Sequence, residues 1–423
     1  MDDMSGKREG RTQTALLLLT IGMIAWAATA CDSLLEVELP TRVPAESLDD
    51  PAMAEVLVNS AVADFECAFA NYIVATGMLT DELWDSTGWI AVTVWNQRRI
   101  PANHAALNST SCTATGPGVG RPLHTALRQA EDARERLAGW SDDETPNRAR
   151  LQAVASAYSG YSHILIGESF CETAIMEGPL MEPPEVLSIA EARFGEAMDF
   201  AQAAGDQALL NLARVGRARA NLNLGNLAAA AEYAEGVAEG FVHYATYSGA
   251  TTRRRNRVYW DNHREFWISV APEFQGLEVD GVPDPRVPTE PGGRLGHDGT
   301  TDVWLQLKYT SESDQIPIAT WEEAQLIIAE ARGGQEAVDA INRVRGSHDL
   351  PTFSSGDAGA ITAQVLEERR RQLYLQGHRL NDILRNPELE FPEGETQKGV
   401  PFGSTTCLPL PQSERDGNPN LAS

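Results

Sequence analysis

The stretch from Ala208 to Gly240 constrains the fold more than any other part of this sequence. Two sets of small and apolar residues recur there at spacings of three and four, which is typical of helices with one buried side. The sets are Leu209, Leu212, Ala213, Gly216 and Ala220, followed by Leu227, Ala230, Ala231, Ala234 and Val237. Gly225-Asn226 lies between them and can end a helix with positive φ. Such an antiparallel pair is the unit of helical-repeat proteins, so we interpret these residues as core.

A second helical pair of the same design follows at 320–345, with Gly333-Gly334 at the turn. Apolar periodicity predicts further helices over 51–75, 121–137, 147–166 and 361–376, and Ser188 with Glu191 forms a capping-box pattern at the start of another. The sequence therefore predicts a mainly α fold, a helical-repeat scaffold with loop-rich insertions.

Two interruptions break the helical pattern, at about 78–120 and 241–318. Both are rich in Gly, Pro and aromatic residues, and Glu265–Ala271 is a candidate strand. Long loops inside a compact domain are usually functional or disordered. We expect residues 50–423 to form one domain that contains both insertions, with a largely extended segment from 386 to the end.

The N-terminus has the pattern of an export signal. Basic residues precede an apolar run from Ala15 to Ala30, and Cys31 follows directly. Residues 28–31 resemble a bacterial lipoprotein box, in which the Cys becomes the lipid-carrying N-terminus. We expect residues 1–30 to be a signal peptide, Cys31 to be the lipid attachment site, and 31–49 to be an extended leader. An ordinary signal peptide with a nearby Cys is the alternative.

Export leaves four cysteines for an oxidising compartment: Cys67, Cys112, Cys171 and Cys407. Three pairings are open to them. Pairing Cys67 with Cys112 would join the first long helix to the loop after it, and Cys171 with Cys407 would join the middle of the chain to its end. Buried free thiols remain an alternative.

Charge and motifs exclude several function classes. The net charge is −26, which is unfavourable for binding a phosphate backbone, so nucleic acid is not an expected partner. The sequence has no HExxH pair and no GxSxG elbow. The cysteines lack metal-site spacing, and Asp280–Asp284 is better interpreted as a turn than as a calcium loop. We therefore expect no metal and no cofactor.

Five stretches, in order, resemble the SusD/RagB family of outer-membrane nutrient-binding lipoproteins. They are Cys31, ARANLNLGNLAAAAEYAEGV at 218–237, DQIPIATWEEAQLIIAEA at 314–331, EERRRQLYLQGHRLNDILR at 367–385 and CLPLPQSERDGNPNL at 407–421. The resemblance implies a tetratricopeptide-like, SusD-like helical fold, anchored by lipid to the outer membrane at the cell surface. It also implies an oligosaccharide or peptide ligand, a SusC-like TonB-dependent transporter as partner, and a non-catalytic role.

The two interruptions carry the candidate ligand-binding residues. A sugar site needs aromatic faces for stacking, with carboxylates and amides beside them for the hydroxyl groups. In the family, the region after the first helix contributes to the ligand surface. The candidates are Trp84, Asp85, Trp89, Trp95 and Asn96, together with Tyr259, Trp260 and Trp304. For each tryptophan the alternative is a place in the core.

Two other functions remain open. A secreted glycoside hydrolase would use a carboxylate pair such as Asp81 and Asp85, which would share a face if they lay on one helix. A helical-repeat scaffold would present a concave surface to other proteins. Glu367, Glu368, His378 and Asp382 also invite a catalytic reading, but the neighbouring arginines favour structural ion pairs.

Overall fold

The structure, a computed structural model, describes residues 45–421. The predicted signal peptide, Cys31 and most of the leader lie outside the described residues. Ala45–Asp49 forms a short 3₁₀ helix in a unit that ends at Asp50. The second unit begins at Pro51.

Helices account for most of this unit, as their apolar periodicity predicted. Within the described residues, the α-helices in chain order are α1 Ala54–Leu79, α2 Ile90–Asn96, α3 Ala105–Asn108, α4 Gly120–Gly139, α5 Arg148–Ser169, α6 Pro183–Ala204, α7 Gln207–Asn223, α8 Leu227–Glu235, α9 Arg257–Tyr259, α10 Trp321–Arg332, α11 Gly334–Gly346, α12 Ala358–Gln372, α13 Arg379–Arg385 and α14 Gln412–Gly417.

Two helices lie at the centre of the packing. All residues of α5 from Leu151 to Ser169 are buried, and so is the second half of α1. Helix α5 packs against α1, α4 and α6, and α6 packs in turn against α7. A helix that is surrounded on every side needs small residues where neighbours approach closely. Gly160 of α5 meets this need, because a Cβ there would lie 2.8 Å from the Phe194 ring of α6.

The two predicted helical pairs are present, α7 with α8 and α10 with α11. Asp206 caps α7 through the Leu209 amide, and Thr320 caps α10 through the Glu323 amide. Gly225 and Gly333 adopt positive φ at the turns. The pairs pack on each other through α8 and α10.

Three details of the helical predictions are wrong. Leu227 is 43% exposed, because it begins α8 at the solvent side of the turn, and α8 ends at Glu235 rather than near Gly240. The Ser188 capping box does not exist, since α6 already begins at Pro183. Glu182 and Glu185 form the capping box there, and prolines suit the first helical positions.

The strands form short antiparallel pairs, most of them in the second interruption. The strands are β1 Leu83–Asp85, β2 Thr173–Ala174, β3 Leu180–Met181, β4 Val242–Ala245, β5 Ile268–Val270, β6 Glu278–Val279, β7 Val282–Pro283, β8 Thr289–Leu295, β9 Asp302–Gln306 and β10 Ile316–Thr320. They pair as β1 with β5, β2 with β3, β4 with β10, β6 with β7 and β8 with β9, and the β2–β3 pair lies between α5 and α6. The predicted turn at Asp280–Asp284 is the β6–β7 hairpin.

Of the three pairings open to the four cysteines, the structure contains the one that was spelled out from the sequence. Cys67 bonds to Cys112, and Cys171 bonds to Cys407. Beside the second disulfide, Phe170 and Leu408 form a parallel bridge. The C-terminal segment is therefore joined to the end of α5, and it is irregular except for α14.

The charged side chains of 367–385 are structural, as expected. Arg369 donates to both oxygens of Asp382. Glu368 accepts from Arg345 at 2.8 Å and also from Arg286. Glu368 and Asp382 are therefore buried and bound by arginine, in the ion pairs that the sequence predicted for this stretch.

Candidate ligand-binding site

The candidate site is built on three neighbouring strands. On β1, Leu83 and Asp85 point inward and Trp84 points outward, since strand side chains alternate. Trp84 lies opposite Ser269 of β5. The Ser269 hydroxyl accepts from the Trp304 amide and donates to the Asp302 carbonyl, both at 2.9 Å, which places β9 beside β5. Trp84 and Trp304 thus come from opposite interruptions to one surface.

A recess of about 290 Å³ opens between these two indoles, and we call it the aromatic recess. It is lined by Trp84, Pro272, Gln275, Thr300, Thr301, Asp302, Trp304 and Gln397. The lining combines two aromatic rings with amides, hydroxyls and a single carboxylate. The Gln397 amide donates to the Asp85 carbonyl at 2.6 Å, while its Oε1 has no hydrogen-bond partner in the described part of the chain.

A lysine joins the three segments that surround the recess. Lys398 Nζ contacts Asp85 Oδ2 at 2.5 Å, Asp298 Oδ2 at 3.0 Å and the Thr87 carbonyl at 2.9 Å. Burial opposes ionisation of Asp298, but hydrogen bonds from Thr301, from the Thr300 amide and from Lys398 outweigh it and lower the pKa of Asp298 to about 2. The loop at 296–301 is therefore held against β1 by ionised groups at neutral pH.

A glycine permits the close approach of this loop. A Cβ on Gly296 would lie 2.5 Å from the Ser86 carbonyl oxygen, so no larger residue fits without a shift of backbone. The Asp298 amide donates to the same Ser86 carbonyl at 3.2 Å. The close approach at Gly296 thus positions the loop that contributes Thr300 and Thr301 to the lining of the recess.

Further aromatic side chains lie beside the same loop. Trp89 is 41% exposed and packs edge-on against Trp267, with His297 5.7 Å away between ring centroids. The Arg294 guanidinium lies 3.9 Å from the centre of the Phe266 ring.

Three of the predicted ligand residues are structural instead. Trp95 is 0% exposed in the core, and Asn96 accepts from the Asp85 amide at 3.3 Å. Asp85 is buried and accepts from Thr87 and Thr93 in addition to Lys398. Each was expected at the ligand surface, but alternation along β1 and the inner face of α2 direct them inward. They position the site without facing it.

Tyr259 and Trp260 do not line the aromatic recess. Tyr259 stacks on His263 with centroids 4.9 Å apart, and the Arg255 guanidinium lies 3.7 Å from the centre of the Trp260 ring. Tyr259 ends α9, Trp260 begins the π-helix Trp260–Arg264 that follows it, and both side chains are half-buried. The structure thus unites Trp84 and Trp304, places Trp89 beside them, and keeps Tyr259 and Trp260 apart from the recess.

Comparisons with known proteins concern the fold. No family model and no curated protein matches the sequence. A SusD superfamily protein from Bacteroides vulgatus ATCC 8482 aligns with a TM-score of 0.67 over 88% of this chain and 99% of its own, at 16% identity. A SusD-like carbohydrate binding protein from Bacteroides fragilis NCTC 9343 aligns with a TM-score of 0.66 over 89% and 100%, at 14% identity. This chain has the SusD-like fold.

A SusD homolog from Bacteroides thetaiotaomicron VPI-5482 gives the same result, with a TM-score of 0.64 over 89% of this chain and 98% of its own at 15% identity. The prediction of a mainly α, SusD-like helical fold is therefore confirmed. At these identities the likeness concerns architecture, and ligand chemistry has to be argued from this chain's own side chains.

Several recess residues of this SusD-like chain were missed by the sequence reasoning. Gln275, Thr300, Thr301 and Gln397 are common polar residues in loops, and nothing in their local pattern marks them. Gln397 reaches the site from the C-terminal segment, which was expected to be merely extended. Only the paired strands and the Lys398 contacts reveal that these positions meet.

The carboxylate pair of the hydrolase alternative is not arranged for catalysis. Helix α1 ends at Leu79, so Asp81 and Asp85 share no helix face. Both oxygens of Asp81 accept from Arg379 at 2.7 Å, and Asp85 is bound by Lys398.

Across residues 45–421, no group of acidic, His or Cys side chains is placed to hold a metal ion, and no helix has the length and apolarity to cross a membrane.

Proposed function

We propose that this protein is a surface lipoprotein that binds a neutral oligosaccharide in the aromatic recess. The convergence of Trp84 and Trp304 on one recess carries the proposal. Two indoles offer faces to pyranose rings, and the surrounding amides and threonine hydroxyls offer partners for sugar hydroxyls. The description of structural neighbours as carbohydrate binding proteins supports the same ligand class.

The charge of the recess favours a neutral ligand over an acidic one. Asp302 is the one ionisable residue of its lining, and the whole chain carries a net charge of −26. A polyanionic glycan would therefore meet repulsion without a cation in the recess to offset it. A peptide ligand is the alternative, and binding measurements distinguish the two.

Isothermal titration of the protein with neutral oligosaccharides, uronate-bearing oligosaccharides and peptides tests the proposal. We expect neutral oligosaccharides to bind, and Trp84→Ala or Trp304→Ala to weaken binding at least about tenfold, since stacked aromatics dominate such sites. Trp140→Ala is the matched control, because Trp140 is half-buried at the end of α4 and does not line the recess. Binding to no member of the panel, or equal loss in the control, would contradict the proposal.

We also propose that the protein delivers its ligand to a SusC-like TonB-dependent transporter in the outer membrane. The resemblance of the five ordered stretches supports this partner, and the basic, apolar and small-residue pattern before Cys31 supports the lipid anchor. The proposed role is non-catalytic, and it is supported by the binding of Asp81 to Arg379 and of Asp85 to Lys398.

Two measurements in the native cell test this part. Cys31→Ala should abolish lipid labelling and move the protein from the membrane fraction to the soluble fraction. Affinity purification from solubilised envelopes should recover a TonB-dependent receptor together with the wild-type chain. A Cys31→Ala variant that remains lipid-labelled would contradict the anchor, and recovery of the chain without any receptor would contradict the partnership.

A further inference from the structure

A second hollow adjoins the aromatic recess on the β8–β9 hairpin, and we call it the bulge hollow. Its volume is about 380 Å³, compared with about 290 Å³ for the recess. Asp302 and Trp304 of β9 line both cavities, whereas Arg294 and Leu295 of β8 line only the bulge hollow. The two cavities are therefore neighbours that share one carboxylate and one indole.

An irregularity in the strand pairing creates the bulge hollow. Pro291 lies opposite Trp304 and Leu295 lies opposite Asp302, so the three residues 292–294 of β8 face the single residue Val303 of β9. Extra residues on one strand bend it and interrupt the ladder of hydrogen bonds, and such bulges are frequent next to active sites. The hollow is thus a consequence of the register of this hairpin.

Two glycines allow the bulge and leave the hollow unfilled. Gly293 has a φ of +65°, which glycine adopts without strain, and a Cβ there would meet no atom within 4 Å. At Gly292 a Cβ would lie 2.8 Å from the Val303 carbonyl oxygen, so a side chain there would push the strands apart. The sequence at the bulge therefore keeps this space open.

Trp304 is held between the two cavities through its backbone. Its amide donates to the Ser269 hydroxyl at 2.9 Å, and its carbonyl accepts from the Asn262 side-chain amide at 3.0 Å. Ser269 and Asn262 are both 0% exposed. Because its backbone is already fixed, the half-buried indole can contact a ligand with little loss of conformational entropy.

The bulge hollow offers one cation and one anion to a ligand. The Arg294 guanidinium stacks on the Phe266 ring, and its Nε donates to the Leu295 carbonyl at 3.3 Å. Arg294 and Asp302 are both exposed, and neither side chain forms an ion pair within residues 45–421. Guanidinium donors and carboxylate acceptors are suitable partners for sugar hydroxyls. Their charges balance, so this hollow favours a neutral ligand as the recess does.

We infer that the bulge hollow is a second subsite for the oligosaccharide that the aromatic recess binds, and that the ligand is a chain long enough to cross Trp304. This inference rests on the proposed function and specifies its ligand further. Asp302 accepts from hydroxyl groups where the chain passes from one cavity to the other. Arg294 donates to hydroxyl groups of the sugar rings in the bulge hollow, and Leu295, which is 46% exposed, contacts their C–H groups.

Titration calorimetry of the full chain with neutral malto-, cello-, xylo- and manno-oligosaccharides, from monosaccharide to hexasaccharide, tests the inference. In the series that binds, the hexasaccharide should bind at least about tenfold more tightly than the shortest member with measurable affinity, because only longer chains reach both cavities. Arg294→Ala and Leu295→Ala should each weaken hexasaccharide binding about fivefold and leave the shortest member unchanged. Trp84→Ala should weaken binding at every length, since Trp84 lines the recess and not the bulge hollow.

Leu384→Ala is the matched control for Leu295→Ala. Leu384 is 42% exposed on α13 and lines neither cavity, so hexasaccharide affinity should be unchanged in this variant. A hexasaccharide that binds no more tightly than the shortest member, or a loss in Arg294→Ala that is equal at every length, would overturn the inference and leave the proposed function intact. Absence of binding at every length in the wild type would instead contradict the proposed function itself.

Discussion

At the scale of single residues, neighbours in sequence take different roles because of side-chain alternation. Trp84 faces the aromatic recess, whereas Asp85, the next residue, is buried beneath it and bound by Lys398. The sequence alone placed both at the ligand, since tryptophan and aspartate together fit sugar recognition. A strand of three residues is too short for its period to be recognised, so the inward direction of Asp85 was hidden.

Glu82, two residues before Trp84, provides a prediction about pH. It is 1% exposed, with Oε1 accepting from the Leu375 amide at 2.9 Å and Oε2 unpaired in the described structure. Burial raises the pKa of Glu82 from 4.5 to about 7, against the opposing Leu375 hydrogen bond. Below pH 4.5 the folded and unfolded chains both hold this proton, so its contribution to stability is fully present. That contribution is lost as the pH rises towards 7 and the unfolded carboxyl ionises first.

Glu82→Gln removes this titration and retains an oxygen for Leu375. The free energy of unfolding of the variant, relative to wild type, should therefore increase by about 3 kcal/mol between pH 4.5 and pH 8. Urea unfolding at both pH values measures the difference. An identical difference at the two pH values would show that Glu82 does not titrate in this window.

At the scale of elements, Phe194 of α6 explains why glycines lie in the helical repeat. Its ring is packed against Gly160 of α5 and Gly216 of α7. Glycine in a helix interior is normally about 1 kcal/mol less favourable than alanine. At Gly216, however, a Cβ would lie 2.2 Å from a Phe194 ring carbon, so the added methyl meets a buried and immobile side chain.

Gly216→Ala should therefore destabilise the protein by about 1–3 kcal/mol, as overpacking does in tight cores. Gly195→Ala is the matched control on α6. There a Cβ would lie 3.4 Å from the Arg217 guanidinium, which is an ordinary van der Waals contact, so alanine should stabilise the protein by about 0.5–1 kcal/mol. Chemical unfolding compares the two variants. Stabilisation by both would mean that Phe194 can move away.

The helices were predictable because their signals are local, and the exceptions have identifiable causes. Gly225 and Gly333 marked the ends of α7 and α10 in the sequence as in the structure. The start of α6 was misplaced because its N-cap is Glu182, followed by two prolines. Ser188 and Glu191 have the spacing of a capping box but lie inside the helix. The aromatic recess was less predictable. Trp84 and Trp304 meet through pairings between distant strands, and no local pattern reports them.

At the scale of the whole molecule, the helices form a scaffold for the loops, and contacts between distant parts of the sequence hold the C-terminal segment on that scaffold. Lys398 connects the C-terminal segment to β1 and to the loop at 296–301. Cys407 connects the same segment to the end of α5. The aromatic recess, which is the candidate ligand site, thus depends on the last part of the chain through Gln397.

The two disulfides should consequently differ in their effect on stability. Cys171 and Cys407 are 236 residues apart, whereas Cys67 and Cys112 are 45 apart. Cross-linking a longer loop removes more conformational entropy from the unfolded chain, and the dependence on loop length amounts here to about 1.5 kcal/mol. Replacing Cys171 and Cys407 by alanine should cost about 5.5 kcal/mol, and replacing Cys67 and Cys112 should cost less by that difference, about 4 kcal/mol. Urea unfolding of the two double variants measures both costs. An equal cost, or a larger one for Cys67 and Cys112, would mean that loop-closure entropy does not determine how much the link to the C-terminal segment stabilises the protein.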